Sequence, residues 1–278
     1  MRPGSAPNIG IIIHNMTAHT HTVNGLQLHY TVEGQGPDVV FIHGWLSSRR
    51  MWAHLAADLA SAYRCWTIDL PGCGDSEKPA DGWYSIPNYT ASLREFMRLT
   101  GIARASVVGH SMGGLIALDF AAEHRELVDR LVTINPVVSG RATIRPLARR
   151  IWSRPLLGLT LRLSPMLIQP VLDQPLLNTV AGVEFLRRRT QDFAKGTVDS
   201  IIGTGRATVA YSVASRLPMI TAPTLVLLGT LDMMISNQEG QLVARRVPGA
   251  RLTALRAGHV VTDDRPAETL QLVREFLA

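Results

Sequence analysis

The chain has 278 residues, of which 46% are hydrophobic and 18% charged, and its formal net charge is +6. A chain of this size and apolar content can bury one large core, which excludes disorder or low-complexity sequence as its main organisation. Its two cysteines, Cys65 and Cys73, lie outside any CxxC or Cys/His spacing. A disulfide framework is therefore excluded, and a structural zinc site is not expected.

Residues 1–16 resemble no domain element. Their longest apolar run, Ile9–Ile13, is shorter than the apolar region of a signal peptide and far shorter than a membrane span. We expect a disordered lead here, with Met16 as an alternative start to Met1, and a cytoplasmic protein.

The first regular elements form a hairpin over Thr17–Glu33, because alternating segments flank the turn dipeptide Asn24-Gly25. Apolar runs and segments of helical spacing then alternate along the chain. The predicted elements of this part are strand Val39–Ile42, helix Met51–Ala60, strand Tyr63–Leu70, helix Tyr89–Thr100, strand Ser106–Val108, helix Met112–Glu123 and strand Leu131–Ile134.

The alternation stops after Asn135-Pro136 and resumes about eighty residues later. We interpret residues 137–218 as a helical insertion, or cap, within a core formed by residues 17–136 and 219–278. The elements predicted after it are strand Thr224–Leu228, helix Asn237–Arg246, strand Arg251–Leu255 and helix Pro266–Leu277. Repeated strand–helix units predict a mostly parallel sheet covered on both faces, with functional groups at the carboxyl ends of the strands.

The positive charge is concentrated in the insertion. Residues 137–218 contain twelve basic and four acidic residues (+8), whereas the remaining sixteen basic and eighteen acidic residues sum to −2. Within it, Ile144–Leu157 mixes arginines with Trp, Leu and Ile, which suits either a membrane-surface helix or a solvated face over an apolar tunnel. Arg187-Arg188-Arg189 could instead pair with an acidic substrate group. Nucleic-acid binding is not expected, because no aromatic ladder or known module accompanies the charge.

A candidate nucleophile, Ser111, lies in Gly109-His110-Ser111-Met112-Gly113, between a predicted strand and a predicted helix. A serine on such a turn needs small neighbours to avoid backbone clashes, and the helix N-terminus favours developing negative charge. The hydroxyl also needs a histidine base and a carboxylate that orients the histidine. Asp232 and His259 follow the next two predicted strands, in the chain order Ser, Asp, His that this class requires.

Other residues compete for these roles. His43, His110 and His124 are interpreted as structural, and Asp263 and Asp264 follow His259 too closely in the chain to orient it across the site.

Acyl transfer also requires two backbone donors for the oxyanion. The N–H of Met112 is one candidate, and the N–H of Trp45, or of Leu46 if the loop is offset, is the other. Trp45, Leu46 and His110 are the candidate substrate-binding residues.

With these motifs the chain resembles the α/β-hydrolase family, from about Thr17 to Ala278. The resemblance is carried by His43-Gly44, the Asp69–Ser76 loop, the nucleophile elbow, and the acid and histidine in order. It implies a mostly parallel eight-stranded sheet flanked by helices, with a helical cap inserted after the sixth strand. Epoxide hydrolases and haloalkane dehalogenases of this family carry Asp at the elbow, so Ser111 argues against those two chemistries.

The expected function is a serine hydrolase acting on carboxylic esters of apolar acyl or alkyl groups, without metal or organic cofactor. Its expected partner is a small apolar ester, with peripheral membrane contact through the basic cap as a further possibility. Three alternatives remain: C–C bond hydrolysis of a vinylogous diketone, a non-catalytic ligand-binding member of the fold, and an accessory protein docking through the cap. Fold alone does not select among them.

Overall fold

A computed structural model describes residues 18–140 and 183–278, with side chains in the second range from residue 186 onward. The predicted lead over residues 1–16 and the Arg-rich stretch Ile144–Leu157 lie outside the described residues. The predicted eight-stranded sheet is confirmed, with the strand order β1-β2-β4-β3-β5-β6-β7-β8. Its strands are β1 Ala18–Val23, β2 Leu26–Glu33, β3 Asp38–Ile42, β4 Arg64–Ile68, β5 Ala105–His110, β6 Val128–Ile134, β7 Thr224–Gly229 and β8 Arg251–Leu255.

Strand β2 pairs antiparallel with both β1 and β4, and every other neighbouring pair in the sheet is parallel. The carboxyl ends of β3, β5, β6, β7 and β8 therefore meet along one edge, where functional groups of such sheets usually lie. The helices of the described residues are α1 Ala53–Leu59, α2 Ile86–Leu99, α3 Met112–Glu123, α4 Val183–Ala194, α5 Val198–Ala210, α6 Asn237–Arg246, α7 Val261–Asp264 and α8 Pro266–Leu277.

Two of the predicted helices begin differently in the structure. Helix α2 starts at Ile86, three residues before the predicted start, because the Ser85 hydroxyl accepts the Asn88 N–H at 3.3 Å and Pro87 suits the first turn. The predicted helix Met51–Ala60 begins as a 3₁₀ turn over Arg49–Trp52, before α1. Apolar spacing located both helices, whereas capping residues decide where they start.

The central strands are buried on both faces, which is why they read as continuous apolar runs. In β3, Val40 and Ile42 belong to the core packed beneath α2 and α3, while Val39 and Phe41 face the core beneath α1 and α8. Successive side chains of a strand point to opposite faces, so a single strand serves both cores.

The two ends of the predicted insertion, near residues 138 and 213, are joined in the structure. Val138 and Val213 are fully buried in the core, and the Val213 N–H donates to the Val138 carbonyl at 3.0 Å. Ser139 and Ser212 form an isolated antiparallel bridge beside them. Both valines lie within the predicted insertion, residues 137–218, yet they pack with the core, and the limits of the insertion stay a prediction.

Basic residues of the predicted insertion, residues 137–218, pair with acidic residues outside it. Among the described residues, the pairs of this kind are Arg188–Asp263, Lys195–Asp75, Arg206–Asp81, Arg216–Asp119 and Arg216–Glu123. Positive charges of one part thus form ion pairs with negative charges of the other. Membrane contact stays a prediction. No helix within the described ranges is both long and apolar enough to cross a membrane.

Candidate active site

Ser111 occupies a strained turn between β5 and α3, with φ 54° and ψ −115°. Positive φ at a non-glycine residue costs on the order of 1–3 kcal/mol and persists only where surrounding contacts hold it. Here the Ser111 N–H donates to the Ile134 carbonyl at 3.0 Å, and the Ser111 carbonyl accepts the Leu115 N–H at 3.1 Å. A strained turn between a strand and a helix is the backbone conformation that the sequence motif predicts for a nucleophile.

The small residue at position 113 is required by the close approach of α3 to β3. A Cβ at Gly113 would lie 2.2 Å from the Ile42 carbonyl oxygen and 2.5 Å from that of His43. Both are backbone atoms of the segment that leads into the Gly44 loop. Any side chain at this position would therefore separate the elbow from that loop.

We expect Gly113→Ala to lower the free energy of unfolding by about 3 kcal/mol or more, because backbone atoms cannot move away as a flexible side chain would. Urea denaturation followed by circular dichroism measures the change. The matched control is Gly82→Ala, since a Cβ at Gly82 meets nothing within 4 Å. Equal stabilities of the two variants would contradict the close approach.

Asp232 and His259 are brought together by the ends of β7 and β8. The His259 Nδ1–H donates to Asp232 Oδ2 at 2.7 Å. Asp232 Oδ1 accepts the backbone N–H groups of Met234 and Ile235, at 2.8 and 3.0 Å. The Asp232 side chain is 1% exposed and that of His259 11%. The carboxylate is thus fixed on both oxygens and leaves Nε2 of His259 available as a base.

His110 and Asn135 fasten the loop that carries His259 to the elbow. Nε2–H of His110 and Nδ2–H of Asn135 both donate to the His259 carbonyl, at 2.8 and 2.9 Å. The rings of His110 and His259 have centroids 4.7 Å apart. Asn135 also accepts the Gly229 N–H at 2.8 Å through its side-chain oxygen, so it joins the ends of β6 and β7 to the histidine loop.

His110, a candidate substrate-binding residue, is buried beside the loop that carries His259. The residue is 1% exposed, and its Nε2–H is engaged by the His259 backbone. Burial, together with the neighbouring His259, holds the pKa of His110 well below its usual range, so the ring stays neutral. His110 therefore supports the loop that carries His259, and its contact with substrate stays a prediction. Asn135 was missed by the sequence reasoning, although Asn-Pro at the end of a strand was a visible signal.

The loop after β3 lies beside the nucleophile. A Cβ on Gly44 would be 3.2 Å from Cβ of Ser111. Met112 is the first residue of α3, so its N–H has no acceptor within the helix and lies at the positive end of the helix dipole. Trp45 is partly buried and its indole N–H donates to the Ile201 carbonyl at 3.1 Å, while Leu46 has φ 54°. These positions are compatible with the predicted oxyanion donors, which stay predictions.

Other polar residues near this edge have structural partners. His43 Nδ1–H donates to the Gly44 carbonyl at 2.8 Å and its Nε2 accepts the Leu70 N–H at 3.1 Å, which shapes the loop as expected. Burial and the nearby Asp69 carboxylate raise the pKa of Cys73 to about 12, so its thiol stays protonated.

The two rival carboxylates are engaged elsewhere. Asp263 accepts Arg188 at 2.8 Å and Asp264 accepts the Gly258 N–H at 2.6 Å. In the part of the chain that the structure describes, three or more His, Cys, Asp or Glu side chains nowhere cluster as a metal site would require.

The chain is similar to proteins that hydrolyse several kinds of bond. A pimeloyl-(acyl-carrier protein) methyl ester esterase of Aeromonas hydrophila is 25% identical over 254 residues, covering 88% of this chain and 96% of that protein. A fluoroacetate dehalogenase of a Burkholderia species is 27% identical over 279 residues, covering 92% of each.

The chain is also similar to solved structures. The crystal structure of the enol-lactonase from Burkholderia xenovorans LB400 superimposes with a TM-score of 0.77 and 27% identity, covering 93% of this chain and 99% of that one. Residues 39–272 match the model of the alpha/beta hydrolase family, which is most of the chain and includes the elbow, Asp232 and His259. This chain is a member of the alpha/beta hydrolase family.

Proposed function

We propose that this hydrolase is a serine esterase that cleaves carboxylic esters of apolar acyl or alkyl groups. The observation that carries the proposal is the 2.7 Å hydrogen bond from His259 to the buried Asp232 carboxylate. Ser111 is held in a strained strand-to-helix turn, and its neighbour His110 donates to the His259 carbonyl. A neutral hydroxyl becomes a useful nucleophile only when such a base removes its proton. The named activities of the ester- and lactone-cleaving relatives support the same bond type.

In the proposed mechanism, Ser111 Oγ attacks the ester carbonyl carbon while Nε2 of His259 takes the hydroxyl proton. Asp232 holds the imidazole in the required tautomer and stabilises the imidazolium. The N–H groups of Met112 and Trp45 stabilise the oxyanion. His259 then returns the proton to the leaving alcohol, and the C–O bond breaks to leave an acyl group on Ser111. Water, deprotonated by the same imidazole, attacks this acyl-enzyme, and collapse releases the acid and restores the hydroxyl.

We further propose that the insertion, residues 137–218, forms a cap over the site and holds the apolar part of the substrate. The Trp45 indole contacts α5 and the Leu46 carbonyl contacts α4, so both described helices of the insertion adjoin the Gly44 loop. The high Leu and Ile content of the insertion supports an apolar substrate rather than a charged one.

Steady-state hydrolysis of p-nitrophenyl esters from acetate to palmitate tests this proposal. We expect turnover with a maximum at a chain length longer than acetate, because an apolar tunnel rewards each added methylene by about 0.8 kcal/mol until it is filled. Absence of turnover on every chain length by folded protein would contradict the esterase proposal. That result would favour C–C bond hydrolysis or a binding role instead.

A further inference from the structure

The Gly44 loop contains a backbone conformation that needs outside support. We define the oxyanion loop as residues 44–48. Within it, Leu46 has φ 54°, a region that L side chains rarely occupy and that costs on the order of 1–3 kcal/mol. If the supporting contacts were lost, Leu46 would relax toward negative φ. That rotation would turn the peptide plane between Trp45 and Leu46, which lies in the segment that supplies the proposed oxyanion donor.

Helix α4 supplies this support through Arg189. One guanidinium N–H group, at Nη1, donates to the Leu46 carbonyl at 3.0 Å. Burial lowers the pKa of Arg189, and the neighbouring Asp192 and Asp263 carboxylates oppose that effect, so the group remains charged. A charged donor makes a stronger hydrogen bond to a carbonyl than a neutral donor does.

The same helix is fastened to the residues that follow Leu46. The Ser48 hydroxyl donates to Asp192 Oδ1 at 2.8 Å, and Nη2 of Arg50 contacts the same oxygen at 2.5 Å. Nη1 of Arg50 donates to the Gln191 side chain at 2.8 Å. The Asp192 carboxylate is only 3% exposed, so its loss of hydration is compensated by these partners. Arg189 is therefore held in register with the oxyanion loop.

The neighbouring residue, Arg188, contacts the segment that follows His259. Arg188 pairs at 2.8 Å with Asp263, which lies in α7, four residues after His259. Consecutive residues of one helix thus contact the histidine loop and the oxyanion loop.

We infer that Arg189 is a positioning residue, which holds the oxyanion loop in the conformation that stabilises the transition state through its hydrogen bond to the Leu46 carbonyl. The inference rests on the proposed serine-esterase function. Arg189 acts through the loop and does not touch the reacting atoms, so its removal should impair the chemical step more than substrate binding. Losing one oxyanion donor outright typically costs 10²–10³ in kcat, and a displaced donor costs part of that.

The test compares Arg189→Met with Arg189→Lys. Arg189→Met keeps most of the apolar stem but has no donor, and should lower kcat about 10- to 100-fold while KM changes less than about threefold. Arg189→Lys keeps a charged donor and should recover part of the loss. The rate at which a fluorophosphonate probe labels Ser111 should fall in parallel, because the phosphonyl oxygen uses the same donors.

The matched control is Arg206→Met, on the other described helix of the insertion. Arg206 pairs with Asp81, which lies in a different loop of the core, and its side chain is 56% exposed. We expect kcat and the labelling rate of this variant to stay within twofold of wild type. Thermal melting shows that each variant is folded.

Three outcomes would overturn the inference. The first is a folded Arg189→Met protein with wild-type kcat and labelling rate. The second is an increase in KM alone, which would make Arg189 a substrate contact. The third is a wild-type protein that neither hydrolyses esters nor reacts with the probe, which would overturn the proposed function itself. If Arg189→Met does not fold, Arg189→Gln carries the same expectations, because its amide is too short to reach the Leu46 carbonyl.

Discussion

Ser111→Ala is expected to lower kcat for the preferred p-nitrophenyl ester by about 10⁴- to 10⁶-fold. Alanine removes the attacking oxygen, while Asp232, His259 and the oxyanion donors stay in place. Only the residual acceleration from binding and electrostatic stabilisation should therefore survive. Steady-state kinetics on purified protein measures the change, with active-site labelling by a fluorophosphonate as a second readout.

Folding is controlled in the same experiment. Alanine at position 111 keeps the same Cβ in the strained turn and removes only the hydroxyl. The free energy of unfolding should therefore stay near that of the wild type. Ser61→Ala is the matched control, since Ser61 is exposed and lies away from this edge of the sheet. Turnover by Ser111→Ala within tenfold of wild type would remove Ser111 from the mechanism.

Asp232→Asn is expected to lower kcat by about 10⁴-fold with little change in fold. Two backbone N–H groups, from Met234 and Ile235, donate to Asp232 Oδ1. The amide oxygen of the substituted side chain will stay on those donors, so its NH₂ group will face Nδ1 of His259. Two donors cannot share that contact, and the imidazole will move its proton to Nε2. In that tautomer His259 cannot accept the Ser111 proton.

The matched control is Asp264→Asn, which changes a neighbouring carboxylate. Asp264 accepts only the Gly258 N–H in the described structure, a role that an amide side-chain oxygen also fills. We expect kcat of this variant to stay within about threefold of wild type. A larger loss in Asp264→Asn than in Asp232→Asn would mean that Asp264, and not Asp232, orients the base. The pH dependence of kcat separates the two cases further, because Asp232 contacts the base and Asp264 contacts a backbone N–H group.

Much of the fold follows from local patterns in the sequence. The β8 strand Arg251–Leu255 and the helices Met112–Glu123, Asn237–Arg246 and Pro266–Leu277 have the predicted bounds. Apolar spacing determines such elements, since it decides which faces can be buried. The predicted start of α2 was less accurate, because it depends on the capping residue Ser85 and on Pro87. These residues act through individual hydrogen bonds and backbone angles rather than through apolar spacing.

In the candidate site, too, some features were predicted from the sequence and others were not. Ser111, Asp232 and His259 were predicted from the order of motifs and strand ends, because the carboxyl ends of parallel strands lie at one edge of the sheet. The structure brings Asp232 and His259 into contact there. The hydrogen bond from the His110 ring to the His259 backbone was not predicted, because no local sequence pattern indicates it.

Composition showed that the insertion is basic but did not show which groups its basic residues contact. The charge difference between the insertion and the rest of the chain was visible, yet it was compatible with a membrane surface, an acidic substrate or a solvated helix. Ion pairs such as Arg188–Asp263 and Arg216–Asp119 join residues far apart in the chain. Which charged side chains form pairs depends on how the helices and strands pack. No local sequence pattern encodes contacts between residues so far apart in the chain.

Local sequence patterns were sufficient to predict the family, the order of strands and helices, and the chemical types of the candidate catalytic residues. These properties depend on periodicity, on turn residues and on the order of short motifs. The support of the histidine loop by Asn135 and His110, and the contact of Arg189 with the Leu46 carbonyl, became visible in the folded chain alone. Those contacts join separate loops at one sheet edge, so their partners are selected by three-dimensional packing rather than by spacing along the chain.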